Sequence, residues 1–107
     1  MTSSLEHKYP DGTTRAEFAR ELHRAYGLGA TPTQLLELIS EKEGRPIAKL
    51  EFEILVLMIA AFSLSLGNAK VAITSPRGQI RTIATDDEFD ESMNYLLRGA
   101  RPSWERE

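Results

Sequence analysis

The stretch FEILVLMIAAFSLSLGN, from Phe52 to Asn68, decides the fold because no other part of the chain is as apolar. From Ile54 to Ala69 it carries no charged side chain. At about 100° per residue, the apolar side chains of a helix through this stretch point in every direction around its axis. Such a helix has to be covered on all sides. The sequence therefore predicts a central buried helix, around which the rest of the chain packs.

The apolar stretch is too short to cross a membrane. A spanning helix needs about 20 mostly apolar residues, whereas the apolar part here ends at Phe62 and is followed by Ser63 and Ser65. Neither flank carries a cluster of Lys and Arg. The first residues also lack the basic and then apolar pattern of a signal peptide. We therefore predict a cytoplasmic protein with no membrane partner.

The composition is that of a small, mildly acidic globular protein. A length of 107 residues corresponds to one domain with a core of its own. The 16 acidic and 13 basic residues give a net charge of −3, which disfavours non-specific binding to nucleic acid or anionic lipid. The chain has no cysteine, which excludes disulfides, thiolate catalysis and Cys-based zinc sites.

The polarity of the two ends predicts where the domain begins and ends. Residues 1–12 are polar and finish in Pro10, Asp11 and Gly12, which indicates a flexible N-terminal tail that ends in a turn. Residues 13–99 are predicted to form a single compact domain. Residues 100–107 are predicted to form a polar C-terminal tail.

Two helix starts precede the central helix. Thr14 and Glu17 have the spacing of a capping box, and an apolar stripe from Phe18 follows them to Gly27. Thr31 and Gln34 repeat this spacing, with Pro32 at the first helical position. Gly44 and Pro46 end the second helix. The central helix is then expected to cover about residues 47–66.

The pattern changes after the central helix. Val71 and Ile73 alternate with smaller or polar residues, and the turn sequence SPRG separates them from Ile80 and Ile83. This pattern predicts a β-hairpin over about residues 70–85. A third capping box, Thr85 with Glu88, then begins the last helix. The predicted class is α+β, mainly helical, with the order α-α-α-β-β-α.

The sequence offers no recognisable machinery for catalysis. A phosphate-binding P-loop, a GxGxxG fingerprint and a GxSxG nucleophile elbow are all absent. His7 and His23 are the only histidines, and neither has the spacing of a metal-ligand pair. We therefore predict that the protein is not an enzyme, with no catalytic residue, no cofactor and no metal.

One local resemblance points to DNA binding. The stretch TPTQLLELISEKEGRPI, residues 31–47, resembles part of the winged-helix output domain of OmpR-type response regulators, where a T-P-T-E/Q helix start and a G-R-x-V/I turn lead into the next helix. Three helices followed by a hairpin also match the order of a winged helix. The resemblance implies a DNA-binding regulator whose third helix reads the major groove. In that reading, the basic contacts would come from Arg20, Arg24, Arg77 and Arg81.

The third helix has the wrong surface for reading DNA, because it is the most apolar part of the chain and its polar start offers Lys49 but also Glu51 and Glu53. We therefore favour a small non-catalytic protein–protein interaction module: a regulator, inhibitor, adaptor or immunity-type protein. Its partner is another protein of unknown identity, and a homodimer is one candidate, because a second copy would cover any open side of the central helix. Nucleic acid is the less favoured partner.

The candidate partner-binding residues lie near the C-terminus of the chain. An acidic patch of Asp86, Asp87 and Asp90 could engage a basic surface by complementary charge. Trp104 is the only tryptophan and lies in the polar tail, where an aromatic side chain can anchor an interface. The alternative for Trp104 is that it folds back on the last helix.

Overall fold

The protein is an all-helical globule in the residues that the structure, a computed structural model, describes, namely 7–74 and 85–98. The described part of the chain contains five α-helices: α1 (Arg15–Gly27), α2 (Pro32–Glu43), α3 (Glu51–Phe62), α4 (Leu66–Ala69) and α5 (Asp86–Arg98). Short 3-10 helices at Ile47–Lys49 and Lys70–Thr74 connect them. No helix among the described residues is long and apolar enough to cross a membrane.

The predicted α+β class is wrong. The described part of the chain is 75% helical and contains no strand, so the order α-α-α-β-β-α does not hold. Val71 and Ile73, predicted to begin the hairpin, lie in the 3-10 helix Lys70–Thr74. The fully buried positions here are Ala69, the last residue of α4, and Ala72, in the 3-10 helix. The rest of the predicted hairpin falls in 75–84, outside the described residues.

The central helix is shorter than the predicted range of 47–66. It begins at Glu51, after the 3-10 helix, and ends at Phe62. Ser63 adopts a left-handed conformation with φ of 53°, and its N–H donates to the carbonyl of Ile59 at 2.8 Å. Ser65 then caps α4 by accepting from the N–H of Asn68. A backbone bond of Ser63 thus closes one helix, and the side chain of Ser65 starts another.

The predicted helix starts are confirmed. The capping boxes of Thr14 with Glu17 and of Thr31 with Gln34 are both present. The hydroxyl of Thr85 accepts from the N–H of Glu88 at 3.1 Å at the start of α5. Gly44 ends α2 in the left-handed conformation, with φ of 70°, which glycine adopts without a steric penalty.

The core forms where α1 packs against α3 and α2 packs against α1 and α5. One side of α3 supplies much of it, through Ile54, Leu57, Met58, Ala61 and Phe62. The Phe62 ring makes an edge-on contact with the Tyr26 ring at 5.6 Å and a tilted contact with the His23 ring at the same distance. These contacts fix the end of α3 against α1.

The segment before α1 lies against the helices. Tyr9 is only 4% exposed, and its hydroxyl donates to Oε1 of Glu43 at 2.9 Å. Nε of the buried Arg15 lies 3.3 Å from the same oxygen. Nearer the surface, Lys42 pairs with Asp11 at 2.6 Å and lies over the Tyr9 ring. The residues from 7 onwards, assigned to a tail by their polarity, are thus joined to α1 and α2.

Alkaline pH is expected to destabilise the fold through Tyr9. Burial raises the pKa of the Tyr9 phenol well above its ordinary value of 10.0, and the hydrogen bond and the charge of Glu43 raise it further. Below pH 10.0 both the folded and the unfolded chain keep this proton. Above it the unfolded chain loses the proton first, so the free energy of unfolding falls as the pH rises, by at most about 1.4 kcal/mol per pH unit from this group.

Urea denaturation of the Tyr9→Phe variant between about pH 8 and pH 11 tests this dependence. We expect the variant to lose stability less steeply with pH than the unchanged chain does. Tyr95→Phe is the control, because Tyr95 is 84% exposed. The same slope in Tyr9→Phe and in the unchanged chain would contradict the role given to Tyr9.

Candidate protein-interaction surface

The side of α3 that points away from the core is apolar. Phe52, Val56 and Ile59 lie along it at spacings of four and three residues, which places them on one face of the helix. Phe52 is 58% exposed, and Val56 and Ile59 are half-buried. Ile59 also packs against the core at its edge. We call Phe52, Val56 and Ile59 the α3 seam.

Polar residues are absent from α3 after its first turn. From Ile54 to Phe62 every side chain is apolar, including Leu55 and Ala60, which flank the α3 seam. Leu55, Ile59 and Ala60 are half-buried and pack against the core. A helix that faces water normally carries polar residues on its outer side. In α3 that side is apolar, and Phe52 in the first turn is 58% exposed.

Charged side chains border this face at the start of α3. Arg45 pairs with Glu53 at 2.7 Å before the second turn of α3. Lys49 and Glu51 are exposed at the same end. Beyond the other end, Leu66 at the start of α4 is 55% exposed. Apolar side chains next to charged groups are typical of a protein–protein contact.

The predicted acidic patch lies on the first turns of α5, and one of its members has a structural role. Oδ1 of Asp90 accepts from both the N–H and the hydroxyl of Thr33, each at 2.7 Å. Asp90 thus satisfies one of the free N–H groups at the start of α2. Asp86 is half-buried, and Asp87 is exposed. Asp87 is therefore the member of the patch most open to a partner.

The outer face of α5 also carries a residue that the sequence analysis missed. Asp87, Glu91 and Tyr95 follow one another at four-residue spacing and are all exposed, with Tyr95 at 84%. They border a groove that also includes Thr31 and Val71. The four-residue spacing was visible in the sequence, but tyrosine occurs on buried and exposed faces alike. The structure was needed to place Tyr95 outside the core.

The other predicted contacts are divided between α1 and undescribed segments. Arg20 and Arg24 are exposed on α1, where Glu17 and Glu21 are exposed beside them. This alternation of sign leaves no continuous basic strip along the helix. Trp104, Arg77 and Arg81 lie outside the described residues.

The comparisons assign no relative to the chain. Protein-family models, curated proteins and solved structures were searched, and none matched. Within residues 7–74 and 85–98, no group of three or more His, Cys, Asp or Glu side chains could hold a metal ion. The physical character of the surface is therefore the basis on which a function can be proposed.

Proposed function

We propose that this protein acts by binding another protein, without catalysis, and that the α3 seam is the contact surface. The observation that carries the proposal is the uncharged outer side of α3, where Phe52 is 58% exposed although it belongs to the most apolar helix of the chain. Fully burying an aromatic or branched aliphatic side chain yields about 1.5–3 kcal/mol. Covering the α3 seam would therefore provide a favourable contact, with Phe52 as its aromatic anchor.

The acidic residues of α5 are a secondary part of this proposal. The predicted contacts to a partner with a basic surface stay Asp86, Asp87, Asp90 and Trp104. Charge complementarity of this kind mainly accelerates association and selects the partner, whereas apolar burial supplies most of the affinity. For that reason we place the main contact on α3.

The alternative, a winged-helix-like DNA-binding regulator, has less support. The expected first strand of the wing lies in the 3-10 helix Lys70–Thr74. Glu51 and Glu53 occupy the start of α3, the helix that would have to enter the major groove. Binding to random duplex DNA at two salt concentrations tests it, because contacts to phosphate weaken steeply with salt. No binding at low salt would end this alternative.

The contact surface is tested by placing a charge in the middle of the α3 seam. We expect Val56→Lys to abolish capture of the partner from a lysate of the source organism, because association would bury an unpaired ammonium. A tagged and an untagged form of the chain are used together, so that captured copies of the chain itself are counted separately from other captured proteins. Retention of the same partner by Val56→Lys and by the unchanged chain would contradict the proposed surface.

A matched control is Leu28→Lys, which places the same charge at an apolar position. Leu28 is 84% exposed at the end of α1. We expect this variant to capture the partner as the unchanged chain does. Circular dichroism of both variants verifies that the helices are intact. We expect Val56→Lys to fold, because the lysine stem can lie along the half-buried position while its ammonium stays in water.

A further inference from the structure

We infer that residues 7–12 form a strap that opens and closes on the folded helices, with the Tyr9 side chain as its latch. The strap precedes α1 and lies against α1 and α2. The inference is carried by the few groups that hold the strap in place. It is independent of the proposed function, because neither the strap nor its contacts include the α3 seam.

The strap folds back along the residues that lead into α1. The N–H of Tyr9 donates to the carbonyl of Thr13 at 2.8 Å, and the N–H of Arg15 donates to the carbonyl of His7 at 3.0 Å. Gly12 lies in the turn between them, with φ of 89°, which glycine adopts readily. The two backbone bonds join the strap to the start of α1. Lifting the strap from α1 breaks both of them.

Tyr9 is the one side chain of the strap that is buried, at 4% exposed. Its ring makes an edge-on contact with the Phe18 ring at 5.7 Å, and its hydroxyl donates to Oε1 of Glu43 at 2.9 Å. The other five residues of the strap are exposed, namely His7, Lys8, Pro10, Asp11 and Gly12. Opening the strap therefore takes a single side chain out of the core.

The ion pair of the strap is a weaker attachment than Tyr9. Nζ of Lys42 lies 2.6 Å from Oδ2 of Asp11, and the Asp11 side chain is 57% exposed. Ion pairs as exposed as this one contribute little to stability, because water screens them. Lys42 also lies over the Tyr9 ring, 5.3 Å from its centre, so this contact depends on Tyr9 as well. Tyr9 is therefore the latch, and Asp11 assists it.

The helices do not need the strap in order to stay packed. The capping box of Thr14 with Glu17 begins α1 without any group of the strap. The contacts of Phe62 with Tyr26 and His23, which join α3 to α1, also lie outside it. A segment with few buried contacts opens at a lower cost in free energy than the whole domain unfolds. The strap should therefore open far more often than the chain unfolds.

Opening uncovers a charge pair that stays paired. Nε of Arg15 lies 3.3 Å from Oε1 of Glu43, and the two side chains are 9% and 6% exposed. When Tyr9 leaves, each charge keeps its partner, so no buried charge is left alone. The surface beneath the strap consists of this pair and the Phe18 ring. The strap thus controls access to a surface that the closed form covers.

Hydrogen exchange of single amides, measured by nuclear magnetic resonance on the full chain, tests the latch. The Arg15 amide reports on the strap, because its acceptor is the carbonyl of His7. Tyr9→Phe removes a hydrogen bond to a charged group and should accelerate exchange of this amide about tenfold or more. Asp11→Asn keeps the oxygen that accepts from Thr13 and should accelerate it less than about fivefold. An effect of Tyr9→Phe no larger than that of Asp11→Asn would overturn Tyr9 as the latch.

A core variant tests whether the strap opens by itself. The Met58 amide in the middle of α3 reports on the core, and in the unchanged chain it should exchange at least about a hundredfold more slowly than the Arg15 amide. Ile54 is 1% exposed in the core. Ile54→Val should accelerate exchange at Met58 about two- to tenfold and leave exchange at Arg15 unchanged. Equal acceleration at both amides would overturn the inference, because the strap would then open only when the whole chain unfolds.

Discussion

Replacing Glu43 with leucine is expected to destabilise the fold by about 3–5 kcal/mol, because it leaves the guanidinium of Arg15 buried without a counter-charge. Arg15 is 7% exposed, and its Nε lies 3.3 Å from Oε1 of Glu43. The Tyr9 hydroxyl donates to the same oxygen at 2.9 Å and would lose its acceptor as well. Urea denaturation near neutral pH, followed by helical circular dichroism, measures the change in the free energy of unfolding.

Two control variants separate the loss of the charge partner from other effects of the substitution. The double variant Arg15→Met, Glu43→Leu removes both charges and is expected to be much more stable than Glu43→Leu alone, because no buried charge is left unpaired. Arg45→Gln breaks the more exposed pair with Glu53 and is expected to cost at most about 1 kcal/mol. If Glu43→Leu cost no more than Arg45→Gln, the buried cluster of Tyr9, Arg15 and Glu43 would not stabilise the fold.

Truncating Phe62 to alanine is the second large expected effect, at about 3–5 kcal/mol. The side chain is 1% exposed and contacts the rings of Tyr26 and His23. Its removal leaves a cavity at the point where α3 meets α1, and it also removes the aromatic contacts. A loss of this size is a large part of the total stability of an ordinary small domain, which is about 5–15 kcal/mol.

Phe52 provides the control on the same helix. It is 58% exposed, so Phe52→Ala is expected to change the stability of the monomer by less than about 1 kcal/mol. The two variants are compared by thermal or urea denaturation at low protein concentration, where association does not contribute. Equal losses in Phe62→Ala and Phe52→Ala would mean that the two side chains are not buried and exposed as described.

The predictions from sequence were wrong where the same residues fit both the two-residue period of a strand and the period of a helix. Val71 and Ile73 alternate as a strand would, but the positions that the core buries fully are Ala69, at the end of α4, and Ala72, in the 3-10 helix. β-branched residues favour strands only when neighbouring strands are there to pair with. Likewise, the uncharged stretch continues past Phe62 to Ala69, and the turn at Ser63 depends on a backbone bond that hydropathy does not reveal.

The sequence by itself determined the helix starts at Thr14, Thr31 and Thr85, because a cap joins groups three residues apart and needs no other part of the fold. Only the tertiary structure decided which groups separated along the chain would meet, such as Tyr9 with Glu43 and Asp90 with Thr33. It also decided that Phe52, in the first turn of α3, is exposed. An apolar sequence predicts that a helix will be covered, but the positions of the neighbouring elements determine which of its side chains are covered.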